Sequence, residues 1–115
     1  MIRQFNKFWP HYVAQHGRPL NRRLHFAGTT LGLLCLAGAA LIGNAWPVPA
    51  GLVAAYGFAW IGHFFVERNR PATFRHPILS LLGDLRMYGL MWTGRMDGEV
   101  ERLAGRRQAG RLDRR

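Results

Sequence analysis

Two stretches of the chain are almost free of charge. Residues 24–43, LHFAGTTLGLLCLAGAALIG, contain no Asp, Glu, Lys or Arg, and their polar members are His25, Thr29 and Thr30. At about 1.5 Å per residue a helix of this length reaches roughly 30 Å, the thickness of a bilayer core. Residues 46–66, WPVPAGLVAAYGFAWIGHFFV, repeat the pattern, with His63 as the one strongly polar side chain. Pro47 and Pro49 stand where a first helical turn tolerates missing amide donors. Only Asn44 and Ala45 connect the two stretches, which predicts a tight antiparallel hairpin. Gly32, Gly38, Gly51, Gly57 and Gly62 would weaken soluble helices but allow close helix contact in a membrane.

The flanking segments read differently. MIRQFNKFWPHYVAQH has no signal-peptide pattern. Phe5, Phe8, Trp9, Tyr12 and Val13 share one broad face, which predicts an amphipathic N-terminal helix at an interface, with Pro10 able to kink or divide it. Gly17, Pro19 and Asn21 mark a turn, and RNRPATFRHP at 68–77 is a loop. A third hydrophobic or amphipathic helix runs from about Pro77 to Met96, interrupted by Asp84 and Arg86. It either lies at the interface, packs on the hairpin or re-enters the bilayer, since a full span would bury two charges. The expected fold is an all-α membrane protein: a transmembrane helical hairpin, an amphipathic N-terminal helix and this third helix. Residues 1–98 form one membrane-embedded domain, and 99–115 form a basic C-terminal tail.

Charge gives the hairpin a direction. The 115-residue chain carries sixteen Lys and Arg against six Asp and Glu, a formal charge of +10. Arg18, Arg22 and Arg23 precede the first span, while Arg68, Arg70 and Arg75 come after the second. The positive-inside rule therefore places both ends in the cytoplasm, as in a multi-pass protein of a bacterial inner membrane. The arginines from Arg102 to Arg115 suit solvent or anionic lipid. No folded recognition motif accompanies them, so no specific nucleic-acid partner is expected. A single cysteine, Cys35, excludes an intrachain disulfide framework and a four-cysteine zinc site. The competing reading, a hairpin buried in a soluble bundle, lacks enough further helix to cover it.

The histidines carry the candidate chemistry. His25 and His63 each stand about eighteen residues from the bend, so antiparallel packing brings them to one depth, near the cytoplasmic end. Glu67 lies one turn beyond His63 and shares its face if the helix continues. His16 precedes the first span, and the turn from Gly17 to Asn21 can fold it over the pair. Imidazoles with a carboxylate suit Fe(II), and also accept zinc or manganese. The bland alternative is hydrogen bonding of His25 or His63 across the helices. Asp84 is a candidate to orient a ligand histidine, and Asn21 a candidate cap.

NRRLHFAGTTLG, together with the later stretch YGFAWIGHFFVERNRPATFRHPILSLLGDLRMYG, resembles the small membrane-protein family of the yeast 2-hydroxy fatty acid dioxygenase. The resemblance covers about residues 5–96. His16, Asn21, His25 and Gly28 match a first motif; Gly62, His63, Glu67, Pro71 and Ala72 a second; Ser80, Asp84 and Met87 a third. It implies a membrane-embedded, Fe(II)-dependent oxygenase that shortens a 2-hydroxy fatty acid by one carbon with molecular oxygen. It also implies that His16, His25 and His63 are essential; a ligand role for Glu67 rests on spacing. Arg22, Arg23 or Arg68 would attract the substrate carboxylate. The rivals are a non-catalytic membrane scaffold or lipid-binding protein, and a zinc-dependent lipid enzyme. The short chain leaves room for a homo-oligomer.

Overall fold

The computed structural model describes residues 2–71 and 74–113, the last three through their backbone. Ala72 of the second motif, the Arg111 side chain, Arg114 and Arg115 lie outside the described residues. Five helices run in order: α1 (Ile2–Ala14), α2 (Pro19–Ile42), α3 (Pro47–Ile61), α4 (Pro77–Trp92) and α5 (Met96–Asp113). A π-helical turn, Gly62–Glu67, prolongs α3. There is no strand among the described residues.

The hairpin forms as its sequence dictates. Pro19 and Pro47 open α2 and α3 in their first turns. Gly43 ends α2 in the left-handed region at φ 67°, its amide bonded to the Ala39 carbonyl. Asn44 Oδ1 then accepts the Trp46 amide across the bend. Between the helices, small residues set the spacing. A Cβ placed on Gly51 would lie 2.7 Å from Cys35 Cβ, and one on Gly28 would lie 2.9 Å from the Ala55 carbonyl oxygen. Backbone therefore meets backbone along this seam. The outer face is apolar and uncovered: Leu41 is 87% exposed and Val53 74%. α2, and α3 together with its π turn, are each long and apolar enough to cross a membrane.

α1, α4 and α5 make a second body. Phe8, Trp9, Tyr12 and Val13 of α1 are buried against Met87 of α4 and Met96 and Leu103 of α5. These α1 residues are four of the five expected on its apolar face, and Pro10 sits inside α1 without dividing it. Trp9 Nε1 donates to Glu99 at 2.9 Å, tying α1 to α5, and the Arg86 guanidinium lies over the Trp9 ring. α4 also packs on the hairpin, through Phe26 stacked on Tyr88 and the Thr30–Tyr88 hydroxyl contact of 2.9 Å.

The boundary expected at residue 99 falls inside α5. Asp97 and Glu99 in its first turn suit a helix N-terminus, and Val100 and Leu103 dock on the α1 core. The arginine run masks those two apolar contacts in the sequence.

Candidate metal centre

His16, His25 and His63 come from three different pieces of chain. His25 lies in the second turn of α2, His63 at the start of the π turn, and His16 in the link between α1 and α2. That link is folded inward by Arg22, which is buried and donates to the carbonyls of His16 and Gly17 at 2.8 and 2.9 Å. Its other terminal nitrogen reaches Asp97 of α5 at 2.9 Å. The result is that all three imidazoles are buried. Their ring centroids stand 4.5 to 4.9 Å apart, edge to face. Each offers one nitrogen to a group whose members all lie within 4.8 Å.

The hydrogen bonds fix which nitrogens those are. His16 Nδ1 is 2.7 Å from the Tyr12 carbonyl, and His25 Nδ1 is 3.0 Å from the Asn21 carbonyl. A carbonyl only accepts, so each Nδ1 carries the proton. His63 Nδ1 is 2.7 Å from Asn69 Oδ1, while Asn69 Nδ2 donates to the Gln15 carbonyl. That second bond turns the Asn69 oxygen toward His63, so His63 Nδ1 is the donor too. Every Nε2 is then a bare lone pair. Two of them, on His16 and His25, face each other at 3.1 Å.

Two lone pairs at that distance repel unless a cation lies between them. A proton is a poor candidate. Burial, with His25 and His63 alongside, holds the His16 imidazole well below its ordinary protonation range. A metal ion suits better, because two nitrogens bonded at about 2.1 Å to one ion take up a similar separation. Three neutral imidazoles, each oriented through its other nitrogen, are the donor set of a bound transition metal. The trio therefore fits such an ion, and three protein ligands leave coordination positions for other molecules.

The π turn supports this arrangement. One extra residue per turn is accommodated just after His63, a distortion frequent at functional sites. Arg68 ends it in the left-handed region at φ 57°. The chain then returns, and the Asn69 amide bonds the His63 carbonyl at 2.9 Å. Gly62 makes room on the other side, since a Cβ there would overlap the Asn21 side chain. Asn21 is fully buried, and its side-chain nitrogen and oxygen have no hydrogen-bond partner among the described residues.

Glu67 does not join the histidines. Its carboxylate accepts the Arg18 amide at the start of α2, where a negative charge meets unpaired helix donors. Arg22 is spent on the His16 link, whereas Arg23 and Arg68 are exposed. Asp84 accepts the Tyr12 hydroxyl. Tyr12 in turn stacks on His16 at 4.0 Å and supplies its carbonyl partner. Asp84 thus reaches His16 through Tyr12, with no direct hydrogen bond to a histidine among the described residues. Burial pushes the Asp84 carboxyl up to about 6, against the pull of the Tyr12 bond. Sequence reasoning misses Tyr12 and Asn69 as supports of the histidines. By pattern Tyr12 is only an apolar-face residue, and Asn69 sits in a polar loop with no spacing signal.

No curated protein and no solved structure matches the chain. A family profile does, that of the 2-hydroxy-palmitic acid dioxygenase Mpo1-like proteins, over residues 2–96. The match spans all of α1 to α4 and with them the three converging histidines, and the chain belongs to this family.

Proposed function

We propose that this protein is an Fe(II)-dependent dioxygenase that removes one carbon from 2-hydroxy fatty acids. The observation that carries the reading is the set of three buried imidazoles whose protons are all committed outward, leaving three bare Nε2 atoms. His16, His25 and His63 would hold the ion. Fe(II) in such a site supplies the one-electron chemistry that lets triplet oxygen react with a closed-shell substrate. The net reaction balances as R–CH(OH)–COOH plus O2 giving R–COOH, CO2 and H2O, with the C1–C2 bond broken.

The protein's own part is placement and exclusion. The Tyr12 and Asn21 carbonyls and Asn69 hold the three rings in one tautomer. Arg22 clamps the link that carries His16, so the site is closed toward α5. Asp84 and Tyr12 keep the His16 ring in its stacked position. Burial of the trio keeps bulk water from the reacting atoms. The uncovered apolar face of α2 and α3 supports a hairpin inserted in the membrane, and the flanking arginines support cytoplasmic ends. Lipid is then both the surroundings and the source of substrate.

The test uses detergent-purified protein loaded anaerobically with Fe(II) and given 2-hydroxypalmitate and oxygen. Mass spectrometry tracks the fatty product, with His63→Ala as control. A product one carbon shorter that depends on iron and His63 is expected. Iron uptake without product, or activity with zinc alone on another lipid, overturns the oxygenase reading. Failure to take up any metal favours a scaffold or lipid-binding protein.

A further inference from the structure

A cavity of about 280 Å³ lies between α2, α3 and α4. Its lining is divided. His25 and Asp84 stand at one end, and the wall continues past Gly32 and Gly51 to Leu36 and Val48 at the other. The helix directions give its length. From His25 to Leu36 along α2 is roughly 16 Å, about half of a bilayer's hydrocarbon core. That is the depth filled by one leaflet's acyl chains.

The polar end belongs to the metal centre, since His25 is one of its three imidazoles. The far end is formed by apolar side chains alone. Gly32 and Gly51 meet backbone to backbone there, so α2 and α3 close against each other and form the floor of the slot. Leu36, which is 55% exposed, borders the slot on its outer side, so the slot opens laterally toward the surroundings of the hairpin.

We propose that this slot receives the alkyl chain of a free 2-hydroxy fatty acid, and that Leu36 and Val48 set the chain length it accepts. The proposal rests on the oxygenase reading for the identity of the polar group, but not for the slot itself. Free acid is favoured over an esterified lipid by the burial around His25. His16 and His63 pack edge to face on His25 and all three rings are buried, so this end of the slot stops on packed side chains. An acid entering sideways from the bilayer would bring its carboxyl and 2-hydroxyl to the histidine end, with its tail pointing toward the hairpin bend.

The experiment uses the full chain in phosphatidylcholine nanodiscs, kept anaerobic and without added iron so that no turnover is required. The probe is 2-hydroxypalmitate carrying a photoreactive diazirine at its far end, and labelled positions are mapped by mass spectrometry. Label concentrated on Leu36, Val48 and Leu52 and removed by unlabelled 2-hydroxypalmitate is expected. Label spread equally over the outer residues Leu41, Ile42 and Val53, or untouched by the competitor, overturns the proposal. So does a slot already blocked by the surrounding phospholipid. In the iron-loaded enzyme, Leu36→Trp is expected to shift preference from 2-hydroxypalmitate toward 2-hydroxylaurate by at least about tenfold, as filling a hydrophobic pocket by a few methylenes should. An unchanged preference in a folded, iron-binding variant also overturns it. A labelled slot in a protein that makes no product would leave the slot standing and remove the oxygenase reading. Product formation with label on the outer face would do the reverse.

Discussion

The hairpin and the α1–α4–α5 body bury their apolar residues by opposite means. In the hairpin, small residues face inward and large ones face outward: Gly28, Gly32 and Gly51 line the seam, while Leu34, Leu41 and Val53 are left uncovered. Where α1 meets α4 and α5 the order is reversed, with Trp9, Tyr12, Met87 and Leu103 packed inside, while the far face of α4 leaves Leu81, Leu85 and Trp92 exposed. A helix pair in water would collapse around its large side chains, because their removal from water is the main driving force. Lipid tails remove that force, and close backbone contact becomes the better option. One short chain thus contains two modes of packing, and the histidines lie where they meet. His25 and His63 come from the hairpin, and His16 from the link to the second body.

The largest expected effect is at that junction. His63→Ala removes one of the three proposed ligands, and the purified protein should retain no stoichiometric metal by elemental analysis. Wild-type metal content in this variant would break the link between the two regions. Next come paired substitutions, one in each region. Val53→Lys, near the middle of α3, should disfavour membrane insertion by about 3 kcal/mol and leave the second body's unfolding unchanged. Leu103→Ala should do the opposite, costing about 2–4 kcal/mol of stability by thermal unfolding with insertion unaffected. If both variants lose insertion equally, the two regions are not separate in solvent preference.

A smaller effect is expected at Asn69. Asn69→Ala frees the His63 ring to rotate and change tautomer, which should weaken metal affinity about 10- to 100-fold in a chelator competition. The smallest concerns acidity. The Asp84 carboxyl titrates at about 6 in the fold, against an ordinary 3.8. The folded state holds this proton more tightly, so its contribution is complete below pH about 4 and is lost as pH rises through about 6. Asp84→Asn should flatten the melting temperature across that window, and an unaltered slope would assign the pH dependence elsewhere.

The histidine constellation is legible in the sequence because depth in a hairpin is a counting problem. Equal distances from a two-residue bend put His25 and His63 side by side, and Gly17 and Pro19 announce the turn that returns His16. The supports are not legible, because they depend on backbone geometry that hydropathy does not encode. Nothing in GHFFVERN distinguishes a π turn from an α turn, so Glu67 looks like a ligand and Asn69 like a loop residue. The structure uses them the other way: Glu67 caps α2, and Asn69 orients His63. α5 escapes a reading by pattern for a related reason. Its arginines dominate the composition, while two or three apolar contacts decide where it packs.

The π turn has a consequence for how this segment can change over generations. Between His63 and Asn69, most apolar residues face outward, as Phe65 does at 76% exposure, and one can be exchanged for another at little cost. Losing a single codon there is different. All three histidines would survive and the hydropathy profile would hardly alter, yet in a regular α-helix each residue removed rotates the downstream chain by about 100°. Asn69 would be carried away from His63. This stretch is therefore tolerant of spelling and intolerant of length. A descendant gene that had lost one letter-triplet here would still be read as a full member of the family while its third imidazole no longer had a fixed direction.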